Sequence, residues 1–172
     1  MRFPCHRVDA AFFDNAPMRF VNAAELEARP RDVFAILAEP ATWPRWFPGM
    51  RKAKWTSATT ESVGSTRTVA LAMLTLDERF FRWQPDRRVS FYITAQSQPL
   101  VRALAEDYLL DELSANKTRF TYTVAMEPQA LVRLAGPLSR AYFDSMFRKA
   151  CEGLRRYVGH AASPAATGSS GD

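Results

Sequence analysis

Residues 32–48 read DVFAILAEPATWPRWFP. Val33, Phe34, Ile36 and Leu37 fall on one side of a helix that begins near Pro30, and proline suits a first helical position. Pro40 ends that helix, because it lacks an amide hydrogen and its ring clashes with the preceding turn. A second short helical piece follows around Trp43-Pro44-Arg45-Trp46 and stops at Phe47-Pro48-Gly49.

Either side of this helical pair the period is different. Upstream, MRFVNAAELEA (residues 18–28) alternates loosely and predicts a strand. Downstream, period two dominates through RKAKWTS, STRTVALAML, DERFFRW, RRVSFYITA, EDYLLDEL and TRFTYTVAM, six strands in succession. ESVG, QPDR and SANK are short enough to be hairpin connections. QSQPLVRAL is longer and is either a loop or a short helix that would shorten the next strand. The last pattern, QALVRLAGPLSRAYFDSMFRKACEGLRRYV (residues 129–158), repeats Leu131, Leu134, Leu138, Tyr142, Met146, Ala150, Leu154 and Tyr157 at helical steps. Gly136-Pro137 predicts a kink or break inside it. Arg133, Arg140, Arg148, Lys149, Arg155 and Arg156 lie largely off the stripe, as a solvated basic face would.

Such an order gives an α+β domain. A seven-stranded antiparallel sheet needs its apolar face covered, and only the last helix is long enough to cover it. The chain of 172 residues, 47% of them hydrophobic, supplies one domain with a substantial core. The expected organisation is an N-terminal arm over 1–16, the domain over 17–160, and a small, polar, disordered tail over 161–172.

Composition also narrows the function. A net charge of +5 permits contact with anions, but the basic residues occur only as scattered pairs, so nucleic-acid binding is not expected. The sequence shows no membrane-spanning run and its first residues lack the order of an export signal, so a cytoplasmic location is expected. Cys5 and Cys151 are expected as free thiols. His6 sits in the arm and His160 beside the tail, so neither suits a general base. Neither a metal-ligand spacing nor a phosphate- or dinucleotide-binding glycine loop occurs, and no metal or cofactor is expected.

The stretches DVFAILAEPATWPRWFP, VGSTRTV, WQPDRRVSFYI, TRFTYTVAMEP and the closing helix together resemble the START-like (SRPBCC) superfamily, and within it the bacterial polyketide cyclase/dehydrase-like proteins. The resemblance runs from about Arg19 to Val158 and carries no catalytic signature. It implies a helix-grip fold, a curved sheet wrapped around the long helix, with an internal cavity for lipids, polyketides or other apolar ligands. The two short helices would then close one end of the sheet. Trp43 and Trp46 would serve either as core or as the mouth of the cavity, with Trp46 taken as a ligand contact. Phe81, Trp83, Phe91, Phe143, Met146 and Phe147 become cavity wall on the strength of this resemblance alone.

Polar residues on apolar strand faces supply the rest of the site. Arg67 shares a face with Val69, Leu71 and Met73, and Glu106 shares one with Tyr108 and Leu110. If both point inward, each needs a partner; they are expected to pair and, with Tyr108 or Tyr122, to anchor the polar end of a ligand, the alternative being a merely structural ion pair. Three functions follow. The first is binding or carriage of a small hydrophobic molecule, lipid or polyketide-like, without catalysis. The second is a polyketide cyclase or dehydratase in which Glu106, Arg67 and a tyrosine do acid–base work. A third is a domain that docks on a partner or a membrane surface through the basic face of the last helix.

Overall fold

The computed structural model describes residues 1–162. From residue 163 on, the expected tail lies outside the described residues; Ala161 and Ala162 still belong to the last helix.

Strand β1 (Phe3–Pro4) and helix α1 (Phe12–Asn15) form the arm. Strand β2 (Met18–Leu26) leads to α2 (Pro30–Ala38), with Pro30 in the first helical turn as expected. A 3-10 turn at Pro40–Thr42 then runs into α3 (Trp43–Trp46). Strands β3 (Met50–Trp55), β4 (Thr66–Leu71), β5 (Thr75–Gln84), β6 (Arg88–Gln96), β7 (Val101–Ser114) and β8 (Lys117–Pro128) form a meander. Two helices close the chain, α4 (Ala130–Leu134) and α5 (Gly136–Ala162).

The seven long strands are hydrogen-bonded in the order β2-β8-β7-β6-β5-β4-β3, every neighbouring pair antiparallel. The segment 97–100 is a loop, and β7 takes up the residues that a helix there would have used. The inner face carries alternate residues, such as Phe120, Tyr122, Val124 and Met126 of β8. Onto it pack Val33 and Leu37 of α2, Trp43 and Trp46 of α3, and Phe147, Ala150, Leu154 and Val158 of α5.

Two features depart from the simple pattern. A bulge in β5 pairs Phe80 with Phe91 and Arg82 with Ser90, leaving Phe81 without a partner. Phe80 and Trp83 therefore both join the inner core, three positions apart, while Phe81 packs on the outer face with Phe13 and Tyr92. Phe13 ties the arm to that outer face, and the Cys5 and His6 amides donate to the Thr94 and Arg102 carbonyls where β6 and β7 separate.

The second departure is the closing helix. It does break before Pro137: the chain leaves α4 at Ala135, and Gly136 begins α5 at a φ of +52°. Yet Leu131, Leu134 and Leu138 are 80–82% exposed and Tyr142 is 65% exposed, whereas the same stripe is buried at Ala150 and Leu154. The expectation that the whole stripe faces the sheet is thus corrected. The helix meets the core from Phe143 onward, where Phe143 and Phe147 pack on Phe20 of β2, and its front end overhangs.

Candidate functional site

Five ionisable side chains point from the sheet into the interior. Arg67 on β4 lies directly opposite Glu78 on β5, and its Nε donates to Glu78 Oε2 at 2.6 Å; the two side chains are 1% and 4% exposed. The guanidinium carbon lies 4.1 Å from the centre of the Trp43 ring and 5.2 and 5.4 Å from Phe80 and Phe91. A cation over aromatic faces gains attraction from their π quadrupoles, more so when dry. Trp43 is itself fixed by its indole N–H, which donates to the Leu37 carbonyl at 3.0 Å. Arg67 Nη2 is buried and has no hydrogen-bond acceptor among the described residues.

Further along the sheet, Glu106 on β7 lies opposite Phe91 on β6. Tyr108 of β7 faces Tyr122 of β8, and both hydroxyls donate to the same oxygen, Glu106 Oε2, at 2.5 and 2.9 Å. Burial drives the Glu106 carboxyl up to about 7; the Glu78 carboxylate adds to the rise, and the two tyrosine hydrogen bonds and Arg67 oppose it. Burial also raises Glu78, against the pull of the Arg67 guanidinium. Tyr108 and Tyr122 are held well above their usual 10, first by burial and then by the Glu106 charge, so both phenols stay protonated and donate. The arrangement can hold a negative or carbonyl oxygen at Arg67, and it can give or take a proton at Glu106 near neutral pH.

The expected Arg67–Glu106 pair is therefore not formed. Arg67 pairs with Glu78, and Glu106 is satisfied by phenols. Phe91, Tyr108 and Tyr122 do gather with Arg67 and Glu106, and Tyr122 also touches Phe147 of α5. Trp83 stands one layer away, edge-on to Phe34, Trp55 and Phe80. Phe143 and Met146 are partly buried at the near end of α5. Trp46 turns toward α5, where its carbonyl oxygen would stand 2.1 Å from a Cβ at Gly153. Phe81 is on the opposite face of the sheet. Open grooves of about 520 and 310 Å³ lie elsewhere, around Arg29–Asp86–Glu112 and Glu27–Ile36–Val158, and neither includes a predicted site residue.

A profile of the family described as polyketide cyclase / dehydrase and lipid transport matches residues 17–159. This chain is a member of the polyketide cyclase/dehydrase and lipid transport family. Proteins of Mycobacterium bovis and Mycobacterium tuberculosis, both named only as uncharacterized, are 35% identical to it over 163 residues, covering 91% of this chain and 93% of each relative. Among solved structures, a START superfamily protein from Mycobacterium smegmatis superposes with a TM-score of 0.73 at 9% identity, over 84% of this chain and 99% of that one. The di-domain ARO/CYC protein BexL of the BE-7585A biosynthetic pathway gives 0.68 at 18% identity, over 86% of this chain and 48% of that one. These likenesses place the polyketide cyclase/dehydrase member in the helix-grip fold, with its curled sheet and long C-terminal helix.

One residue of the site escaped the sequence reading, and one named there was given no distinct role. Glu78 shares a strand face with Leu76 and Phe80, the same alternation that revealed Arg67 and Glu106, but the doublet Phe80-Phe81 hides which phenylalanine points inward. Trp43 left no signal that separated it from Trp46; only the fold brings it over Arg67.

Proposed function

We propose that this chain binds a small, largely apolar molecule through one polar group, an anionic or carbonyl oxygen that takes the free Nη2 hydrogens of Arg67. The observation that carries this reading is a guanidinium, 1% exposed, that keeps an unpartnered N–H group inside an aromatic interior beside two carboxyls and two phenols. Burying charge is costly, and well-packed apolar residues usually serve stability as well or better. A cluster of this kind therefore supports recognition over packing. The ring faces of Trp43, Phe80 and Phe91 would hold the apolar body. The family description, with its lipid transport and cyclase activities, agrees with this class of ligand. Entry requires the interior to open, and α4 with the overhanging front of α5 buries little against the core.

The test is titration with a medium-chain fatty acid and with a polycyclic phenol, followed by tryptophan fluorescence, since Trp43 lies against Arg67. Saturable quenching by one of them, weakened at least tenfold in Arg67→Met, supports the reading. Equal binding by wild type and by a folded Arg67→Met protein overturns it.

One observation favours a second reading, catalysis of polyketide cyclisation or dehydration: Glu106 sits near pH 7, and only its Oε2 is engaged by the tyrosines. A carboxyl balanced near neutrality is suited to general acid–base work. Turnover of a bound polyketide, abolished in Glu106→Gln while binding persists, would select this reading over carriage.

A further inference from the structure

The meander sorts side chains to two ends of the sheet. At one end lie the starts of β2, β3, β5 and β7, the finishes of β4, β6 and β8, and with them α4 and the front of α5. Hydrogen bonds tie this end together: the Gln129 amide donates to the Leu100 carbonyl at 2.9 Å, and Gln98 Nε2 donates to the Met73 carbonyl at 2.8 Å. The same end exposes Met73 at 80%, Leu131 and Leu134 at 82%, Leu138 at 80% and Tyr142 at 65%. Four of these lie on α4 and the first turns of α5, an apolar surface left uncovered among the described residues.

This end also carries arginines without acidic partners, while its carboxylates Asp77 and Glu127 are paired with Arg2 and Arg102. Arg19, Arg51, Arg133 and Arg140 stand at this end, and none has a carboxylate within 4.0 Å among the described residues. At the opposite end acids and bases are mixed and paired, as in Lys117 with Glu25 and Glu27, Arg119 with Glu25, and Arg29 with Asp32. Apolar side chains flanked by arginines, on α4 and the overhanging front of α5, have the chemistry of a segment lying in the surface of an anionic bilayer. Apolar side chains enter the acyl boundary while the guanidinium groups meet the phosphates.

We infer that this end of the molecule, led by Leu131, Leu134, Leu138 and Tyr142, is a docking surface for an anionic lipid membrane. The inference rests on exposed residues and is independent of the buried cluster, so either can fail without the other. Co-flotation of the full chain with phosphatidylcholine vesicles, with and without phosphatidylglycerol, tests it. Binding is expected only with phosphatidylglycerol and is expected to weaken as salt rises. Arg133→Ala should lower the partition roughly fivefold. Leu134→Glu and Leu138→Glu, at solvent-exposed positions, should abolish binding while the melting temperature stays that of wild type. Failure to float with phosphatidylglycerol vesicles overturns the inference, as does flotation that ignores the leucine substitutions. A dimer in sedimentation that those substitutions dissociate also overturns it, by assigning the stripe to a second copy of the chain.

Discussion

Glu106 contributes to stability in the sense opposite to the usual acid sensitivity. Its carboxyl titrates near 7 when folded and near the ordinary 4.5 when unfolded. Between those values the unfolded chain gives up a proton that the folded chain keeps, so stability falls as pH rises through this window. The loss is complete above the folded value and amounts to roughly 3 kcal/mol at about 1.4 kcal/mol for each pH unit. Glu106→Gln should therefore melt higher than wild type near about pH 8 and lose that advantage near about pH 4, which melting curves across pH would check. Removing one partner of the Arg67–Glu78 pair has the opposite sign. Arg67→Ala leaves a buried carboxylate uncompensated and should cost about 3–5 kcal/mol in denaturant unfolding, much of it recovered when Glu78→Gln is added. The inward faces of Arg67 and Glu106 were legible from strand alternation, because a lone polar residue among apolar ones on a period-two face has few other places to go. The tyrosines beside Glu106 were also named, but the partner of Arg67 was not, since pairing depends on which strands are neighbours and in what register, here β4 on β5.

At the scale of elements, the break at Pro40 and the turn of α3 decide how closely the short helices meet the long one. Gly153 of α5 passes under the Trp46 carbonyl so closely that an added methyl would stand 2.1 Å from its oxygen. The obstacle is backbone and cannot swing away, so Gly153→Ala should destabilise the domain by about 2–3 kcal/mol in chemical denaturation, an overpacking cost. The end of α2, the six strands and the break before Pro137 could all be read from proline, glycine and period, which act locally. The front of the closing helix could not: in sequence Leu131, Leu134 and Leu138 continue the apolar stripe of Ala150 and Leu154, yet in the structure they stand exposed. An overhanging segment with few buried contacts opens easily. Limited trypsin digestion should cut after Arg133 and Arg140 before it cuts after Arg155, and simultaneous cutting at all three would contradict this picture.

For the whole molecule, the sheet and long helix form a scaffold around an interior that is chemically uneven, apolar in mass yet carrying a guanidinium, two carboxyls and two phenols. The outer face is tied down by the arm through Phe13, and edge strand β3 presents exposed Arg51, Lys52 and Lys54, which discourages pairing with another sheet. The interior and the end from which α5 overhangs carry the two proposals made above. The central claim is that the interior receives a ligand, and native mass spectrometry of the freshly purified protein, followed by solvent extraction and identification of anything released, tests it most directly. A one-to-one adduct of an apolar molecule bearing a carboxyl, phenol or carbonyl group is expected, lost in Arg67→Met. Protein of bare chain mass that also takes up no such molecule when challenged in excess would contradict it.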